Sequence, residues 1–217
     1  MLYRIPFLDW GDAKWPQNMG RRIFASHLIP EMLPPQIWEK RAKIIHILRD
    51  PRDSAVSFYH YLHRYDFFTE YYKNWDNYFE KHFSCNSFYG SWFDFVKSWK
   101  QQENGSNVHF LSYEELKKDP KLSIANLAKF LEKPITEEQL DFIHKQTTFK
   151  AMKANPACNY ENMENSDTSS FMRKGKVGDW KNKFTDTQEE RFMQMYRQED
   201  KDGDLGTFLR KHGIQIE

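Results

Sequence analysis

Apolar residues in this chain gather into short β-branched runs, separated by stretches with helical spacing. Lys43-Ile44-Ile45-His46-Ile47-Leu48 has the pattern of a buried parallel strand. It ends at Arg49-Asp50-Pro51-Arg52-Asp53, where acids and a proline suit a helix entrance. The spacing of Val56, Tyr59 and His63 predicts a helix from about Arg52 to Arg64, and a second helix is expected from Phe88 to Gln101. Asn107–Ser112 reads as another buried strand, followed by Tyr113-Glu114-Glu115. A helix near Leu122–Leu131 follows Pro120, and another starts at Thr136, which forms a capping-box pattern with Gln139. Residues Ala151 to Ser170 are polar and Asn-rich, contain Pro156, and predict a long loop; a last helix fits Thr187 to Gln198. This alternation implies an α/β fold, a single domain over residues 1–217 with a parallel sheet flanked by helices. In such sheets ligands gather beyond the carboxyl ends of the strands. Arg49 and Ser112-Tyr113 stand at those ends.

A chain of 217 residues fits one domain with a substantial core. Its net charge of +1 leaves no excess of cations to neutralise many phosphates, so no nucleic acid is expected as partner. Two cysteines, Cys85 and Cys158, imply no disulfide framework and favour a reducing compartment. The first ten residues contain no apolar signal-peptide core, and no apolar run approaches the ~20 residues that span a bilayer. The expectation is a soluble, cytoplasmic protein with no membrane partner. Aromatics make up 17% of the chain; most serve the core, and a minority could line a pocket for a planar or apolar ligand. Cysteines and histidines lack ligand spacing, so no metal is expected.

The densest chemical signal is Phe171-Met172-Arg173-Lys174-Gly175-Lys176-Val177-Gly178-Asp179-Trp180-Lys181-Asn182. Arg offers a planar fork of donors and Lys a mobile charge, while glycine lets backbone N–H groups approach an anion. Read alone, the segment is either a phosphate-gripping loop or a basic surface turn. It resembles the C-terminal cofactor loop of the cytosolic sulfotransferases, which move a sulfuryl group from 3′-phosphoadenosine-5′-phosphosulfate (PAPS) to a hydroxyl or amine. Further segments match that family in order: Ser26-His27-Leu28 with Leu33-Pro34, Arg49 through Ser57, Tyr113-Glu114-Glu115, and Thr147-Thr148-Phe149.

The resemblance implies a P-loop-NTPase-like sulfotransferase fold and a set of roles. Arg49 and Ser57 would grip the 3′-phosphate of PAPS; their eight-residue spacing puts Ser57 on an inward face about two helical turns along. Arg173, Lys174 and Gly175, with Phe171 and Met172 beside them, would complete that site. Tyr113, Thr147 and Phe149 match positions around the adenine. His27 matches the general base, for which imidazole is suited by its pKa near neutrality. Phe7 and Trp10 fall where the family places acceptor-pocket aromatics. The residues alone leave other roles open: an ion pair with Asp50 or Asp53 for Arg49, an ordinary helix position for Ser57, core packing for Phe149.

The departures are as informative. None of the nine glycines opens a phosphate loop, so the resemblance begins partway into the family's fold and the domain is expected to be N-terminally incomplete. Its first strand and phosphosulfate-binding loop, with the Lys that supports charge at the bridging oxygen, would lie upstream of Met1. Removing that strand should leave exposed strand edges. Ala25 replaces a Lys two residues before the base. In the segment corresponding to the family's dimer contact, Lys181 to Glu190, Asp186 replaces an apolar residue and would face its own copy, so a monomer or weak homodimer is expected. The leading reading is sulfuryl transfer from PAPS to a small, aromatic or steroid-like acceptor. The alternative is a catalytically impaired, truncated form that binds a nucleotide or small molecule. A nucleotide kinase would need an intact phosphate loop and metal-holding acids.

Overall fold

The computed structural model describes residues 7–9, 22–63, 73–84, 87, 89–159 and 172–217. Trp10 and Phe171 lie outside the described residues. The chain forms two compact units, residues 1–42 and 43–217.

In the first unit, Phe7 makes a parallel bridge with Ala25, and the Leu8 N–H donates to the Ala25 carbonyl at 2.8 Å. A 3₁₀ turn follows at Pro30–Met32, then a short helix, α1 (Pro35–Glu39), entered through Pro34 and Pro35. Proline at a helix entrance forgoes an N–H that would be unpaired there anyway.

The second unit is built on strands β1 (Ile44–Leu48) and β2 (Val108–Ser112), parallel and in register from Ile44 opposite Val108 to Leu48 opposite Ser112. Among the described residues, the crossover between them includes α2 (Pro51–Leu62), α3 (Trp75–His82) and α4 (Trp92–Lys100). After β2 come α5 (Tyr113–Lys118), α6 (Pro120–Phe130), α7 (Glu137–Gln146), α8 (Phe149–Ala154) and α9 (Pro156–Asn159). A 3₁₀ turn at Asp179–Asn182 leads to α10 (Asp186–Glu199) and α11 (Asp204–Lys211). The α/β class and the parallel sheet flanked by helices are as expected.

Local chemistry explains most boundaries. Asp50 caps α2 by accepting the Arg52 N–H at 2.8 Å, with Pro51 as its first residue. Ser112 with Glu115, Thr136 with Gln139 and Thr185 with Gln188 each close a full capping box. The expected loop over Ala151–Ser170 is corrected at its start. Thr148 caps α8 through the Ala151 N–H, and Pro156 opens α9 where it was read as a breaker. The strands also differ from expectation, because β1 is buried on one face only. His46 and Leu48 point inward beside Val108 and Phe110, whereas Ile45 and Ile47 are 40% and 68% exposed.

The core between sheet and helices is aromatic. The Phe192 ring lies tilted 5.2 Å from that of Phe83, which meets Phe79 edge-on at 5.5 Å, and Phe93, Phe208, Leu209 and Ile214 are all buried. Truncating such a ring to alanine costs about 3–5 kcal/mol. This packing joins α10 to α3 and α4.

Candidate active site

At the carboxyl end of β1, Arg49 lies beside Tyr113 at the end of β2, as the Leu48–Ser112 register requires. Its guanidinium sits 4.4 Å from the Tyr113 ring centre. That stacking orients a planar cation without consuming its donors. One nitrogen donates to the Lys176 carbonyl at 3.3 Å and stands 3.7 Å from Asp53. Of the two acids that could pair with Arg49, Asp53 is therefore the neighbour. Asp50 is taken by Arg52, which it binds at 2.8 Å. The Nε of Arg49 is buried without a hydrogen-bond partner. Burial raises the Tyr113 phenol above its ordinary range, against the pull of the Arg49 cation, so the ring stays neutral.

The loop from 172 to 182 is held against this strand end by α2. The fully buried carboxylate of Asp53 accepts the Gly178 N–H at 2.7 Å and the Trp180 N–H at 2.9 Å. Trp180 in turn lies 4.0 Å under the Arg52 guanidinium. Gly178 is left-handed at φ 79°, and Gly175 at φ 65°. Gly175 has no room for more than hydrogen: a Cβ there would stand 2.2 Å from the Phe149 ring. Arg173 and Lys174 both grip Asp179, at 2.5 and 2.6 Å. Burial alone would raise the Asp179 carboxyl, but hydrogen bonds from Lys174, Arg173 and Asn182 hold it far below the usual carboxylate range.

Structure thus brings together Arg49, Tyr113, Phe149 and the loop around Gly175, which lie far apart in sequence. Other expected residues are less engaged. Ser57 is on the exposed side of α2, not on the inward face that the spacing suggested, because Val56 and Tyr59 take that face. The Thr147 hydroxyl donates back to the Ile143 carbonyl at 2.8 Å, leaving its oxygen able only to accept. Met172 is half-buried at the start of the loop. Sequence reading offered Asp53 only as one of two possible partners of Arg49, not as the acid that holds the loop, and it gave no role to Asp179.

In the first unit, His27 lies on the segment that bridges to Phe7. The two rings stack at 5.2 Å and 8°. The His27 Nδ1 is 2.8 Å from the Asp9 carboxylate, which also accepts the His27 backbone N–H at 2.9 Å and the Ser26 hydroxyl at 2.6 Å. Burial opposes the charge on Asp9, but the bonds from Ser26 and His27 outweigh it and lower its pKa. Ala25 uses its backbone in the bridge and offers no side-chain donor. Among the described residues no group of three or more His, Cys, Asp or Glu could hold a metal ion. No helix among them is long and apolar enough to cross a membrane.

Known proteins resemble this chain over most of its length. The sulfotransferase domain family matches residues 2–204. Sulfotransferase 1C2 from Homo sapiens is 38% identical over 90% of this chain and 69% of its own length. Among solved structures, mouse sulfotransferase SULT7A1 complexed with PAP has a TM-score of 0.77 at 34% identity, over 90% of this chain and 72% of that one. Retinol dehydratase in complex with androsterone and the inactive cofactor PAP has a TM-score of 0.81 at 28% identity, over 88% of this chain and 56% of that one.

Proposed function

The chain belongs to the sulfotransferase family, a class of PAPS-dependent transferases, and from that membership we propose that it transfers a sulfuryl group from PAPS to the hydroxyl or amine of a small aromatic or steroid-like acceptor. The observation that carries the donor assignment is the meeting of Arg49, Tyr113 and the 172–182 loop at one strand end. The residues fit an anionic nucleotide on two counts. Arg49 keeps a buried Nε without a partner, and Gly175 lies against Phe149 with space for nothing larger, a close backbone approach beside an aromatic face.

Bound PAPS would supply the sulfuryl group and a good leaving group, 3′-phosphoadenosine-5′-phosphate (PAP). Arg49, Ser57, Arg173 and Lys174 would hold the 3′-phosphate, the group that distinguishes this nucleotide from ATP, through charge-assisted bonds. Phe149 and Tyr113 would flank the adenine, with Thr147 accepting from its edge and Met172 and Phe171 completing the contact. His27 would take the proton from the acceptor hydroxyl as its oxygen bonds to sulfur and the bridging S–O bond breaks. Such a base contributes roughly 10²–10⁴-fold. Phe7, stacked on His27, and Trp10 would face the acceptor. The relative bound to androsterone supports a steroid-like class. No metal is needed for this chemistry, and we place the protein in the cytoplasm as a monomer or weak homodimer.

Calorimetry with PAP against a 5′-AMP control tests the nucleotide assignment. Binding of PAP should exceed that of 5′-AMP, and Arg49→Ala should weaken it by about 10–100-fold, the loss of one charge-assisted group. Equal binding of the two nucleotides would overturn it. A second reading, a nucleotide-binding protein without turnover, is favoured by Ala25, which brings no cation to the transferring group. It predicts PAP binding with no sulfated product.

A further inference from the structure

We infer that Asp9 is a positioning residue that fixes the tautomer and aim of the His27 imidazole, through a relay running from the Leu28 amide by way of Ser26. This rests on the reading of His27 as the general base.

The parallel bridge between Phe7 and Ala25, with the Leu8 N–H bonded to the Ala25 carbonyl, sets the two segments side by side. Two residues on from each bridging partner stand Asp9 and His27, so the register itself opposes acid and imidazole. The Leu28 N–H donates to the Ser26 oxygen at 3.0 Å, and the Ser26 hydroxyl donates to one Asp9 oxygen at 2.6 Å. The other Asp9 oxygen accepts both the backbone N–H of His27 and its Nδ1, at 2.9 and 2.8 Å. An acceptor-only carboxylate facing Nδ1 requires the proton to sit there. The basic lone pair is then on Nε2, the nitrogen at the far end of the ring.

Rigidity follows from the same contacts. Phe7 covers one face of the imidazole at near-parallel alignment, and the Asp9 side chain is only 13% exposed, against 45% for His27. A shielded acid thus grips the Nδ1 edge of a half-exposed ring. The three donors lower the Asp9 pKa, so the acceptor stays ionised at neutral pH. When the imidazole takes a proton from the acceptor, the resulting cation faces a fixed negative charge. A base held in the correct tautomer is the arrangement that makes an acid–histidine pair effective, and loss of the acid then acts on rate more than on binding.

The decisive measurement is the ¹⁵N spectrum of the histidine rings in the full chain at a pH where the imidazole is neutral, with the His27 signals assigned by their loss in His27→Ala. The expected result is Nδ1 protonated and Nε2 bare. Asp9→Asn and Asp9→Ala should shift population to the other tautomer, and Asp9→Glu should restore the original. In turnover assays, Asp9→Asn should lower kcat by about 10²-fold or more with KM for PAPS within about twofold, the loss of most of a base contribution. A wild-type His27 with its proton on Nε2, or a tautomer unchanged in Asp9→Asn, overturns the inference. The wild-type spectrum decides even where a variant fails to fold or the chain shows no turnover. Turnover retained in His27→Ala would instead refute the base assignment, a different failure from an unmoved tautomer.

Discussion

Replacing Asp53 by asparagine should dismantle the clamp that holds the 172–182 loop against α2. The carboxylate is fully buried and accepts two backbone N–H groups, from Gly178 at 2.7 Å and Trp180 at 2.9 Å, with Arg49 a further 3.7 Å away. Asparagine has one acceptor oxygen, so one amide would face an NH₂ group and remain unpaired. A hydrogen bond to a charged group contributes about 1.5–3 kcal/mol, and an unsatisfied buried donor costs about 1–3 kcal/mol. Even at the low end of these ranges, with the loss of the Arg49 partner, the total is about 3 kcal/mol. For a chain of this size that corresponds to a fall in Tm of about 6–12 °C. Thermal melts followed by circular dichroism, at fixed pH and protein concentration, read this directly. PAP titration of the same variant should show weakened binding, because the loop no longer meets Arg49. A fall in Tm below about 2 °C would refute the reasoning, since it would mean that the loop holds its place without the two bonds.

Gly175→Ala should destabilise the loop by about 2 kcal/mol or more, from the left-handed backbone and from overlap with the Phe149 ring. In thermal melts, adding Phe149→Ala should recover the overlap part, so the double variant loses less than the two singles together; strict additivity would refute the contact. Acid should destabilise the protein through His46. Burial, assisted by nearby His212, pushes its pKa down to about 3, and its ring is packed by Trp99, Phe95 and Phe110. The unfolded chain takes up a proton below pH 6.5 and the native ring does not, so stability falls as pH drops from 6.5 toward 3. At pH 5 this amounts to about 2 kcal/mol. Urea unfolding at pH 7 and pH 5 should show that much less acid sensitivity in His46→Phe, and equal sensitivity would remove His46 as the cause.

The legible part of the fold was the part written in local chemistry. β1 announced itself as a β-branched run, β2 as a short apolar one, and α7 by the Thr136–Gln139 box, because strand propensity and capping act within a few residues. The burial of β1 was misread because an apolar run does not say which face is covered, and Ile45 and Ile47 look the same in sequence as Leu48. Helix α3 escaped notice because its aromatics, Trp75, Tyr78 and Phe79, sit in a stretch too dense in rings for a period to stand out. Helix α11 had a readable stripe in Leu205, Phe208 and Leu209. At the site, cations and glycines were visible because their chemistry is distinctive. Asp9 and Asp179 were not, since they acquire meaning only from residues that the fold brings to them, and Asp53 was legible only as one of two possible partners of Arg49.

The Asp53 clamp joins residues 127 positions apart. At the ~5–20 residues per second of protein synthesis, Trp180 is made about 6–25 s after Asp53. Through that interval the carboxylate can form neither loop bond, and Arg49 lacks the carbonyl that it will later hold. A nascent chain therefore goes without its nucleotide grip until the loop has cleared the ribosome. Over those seconds the strand-end cluster needs water, or a chaperone's hold, in place of its own amides.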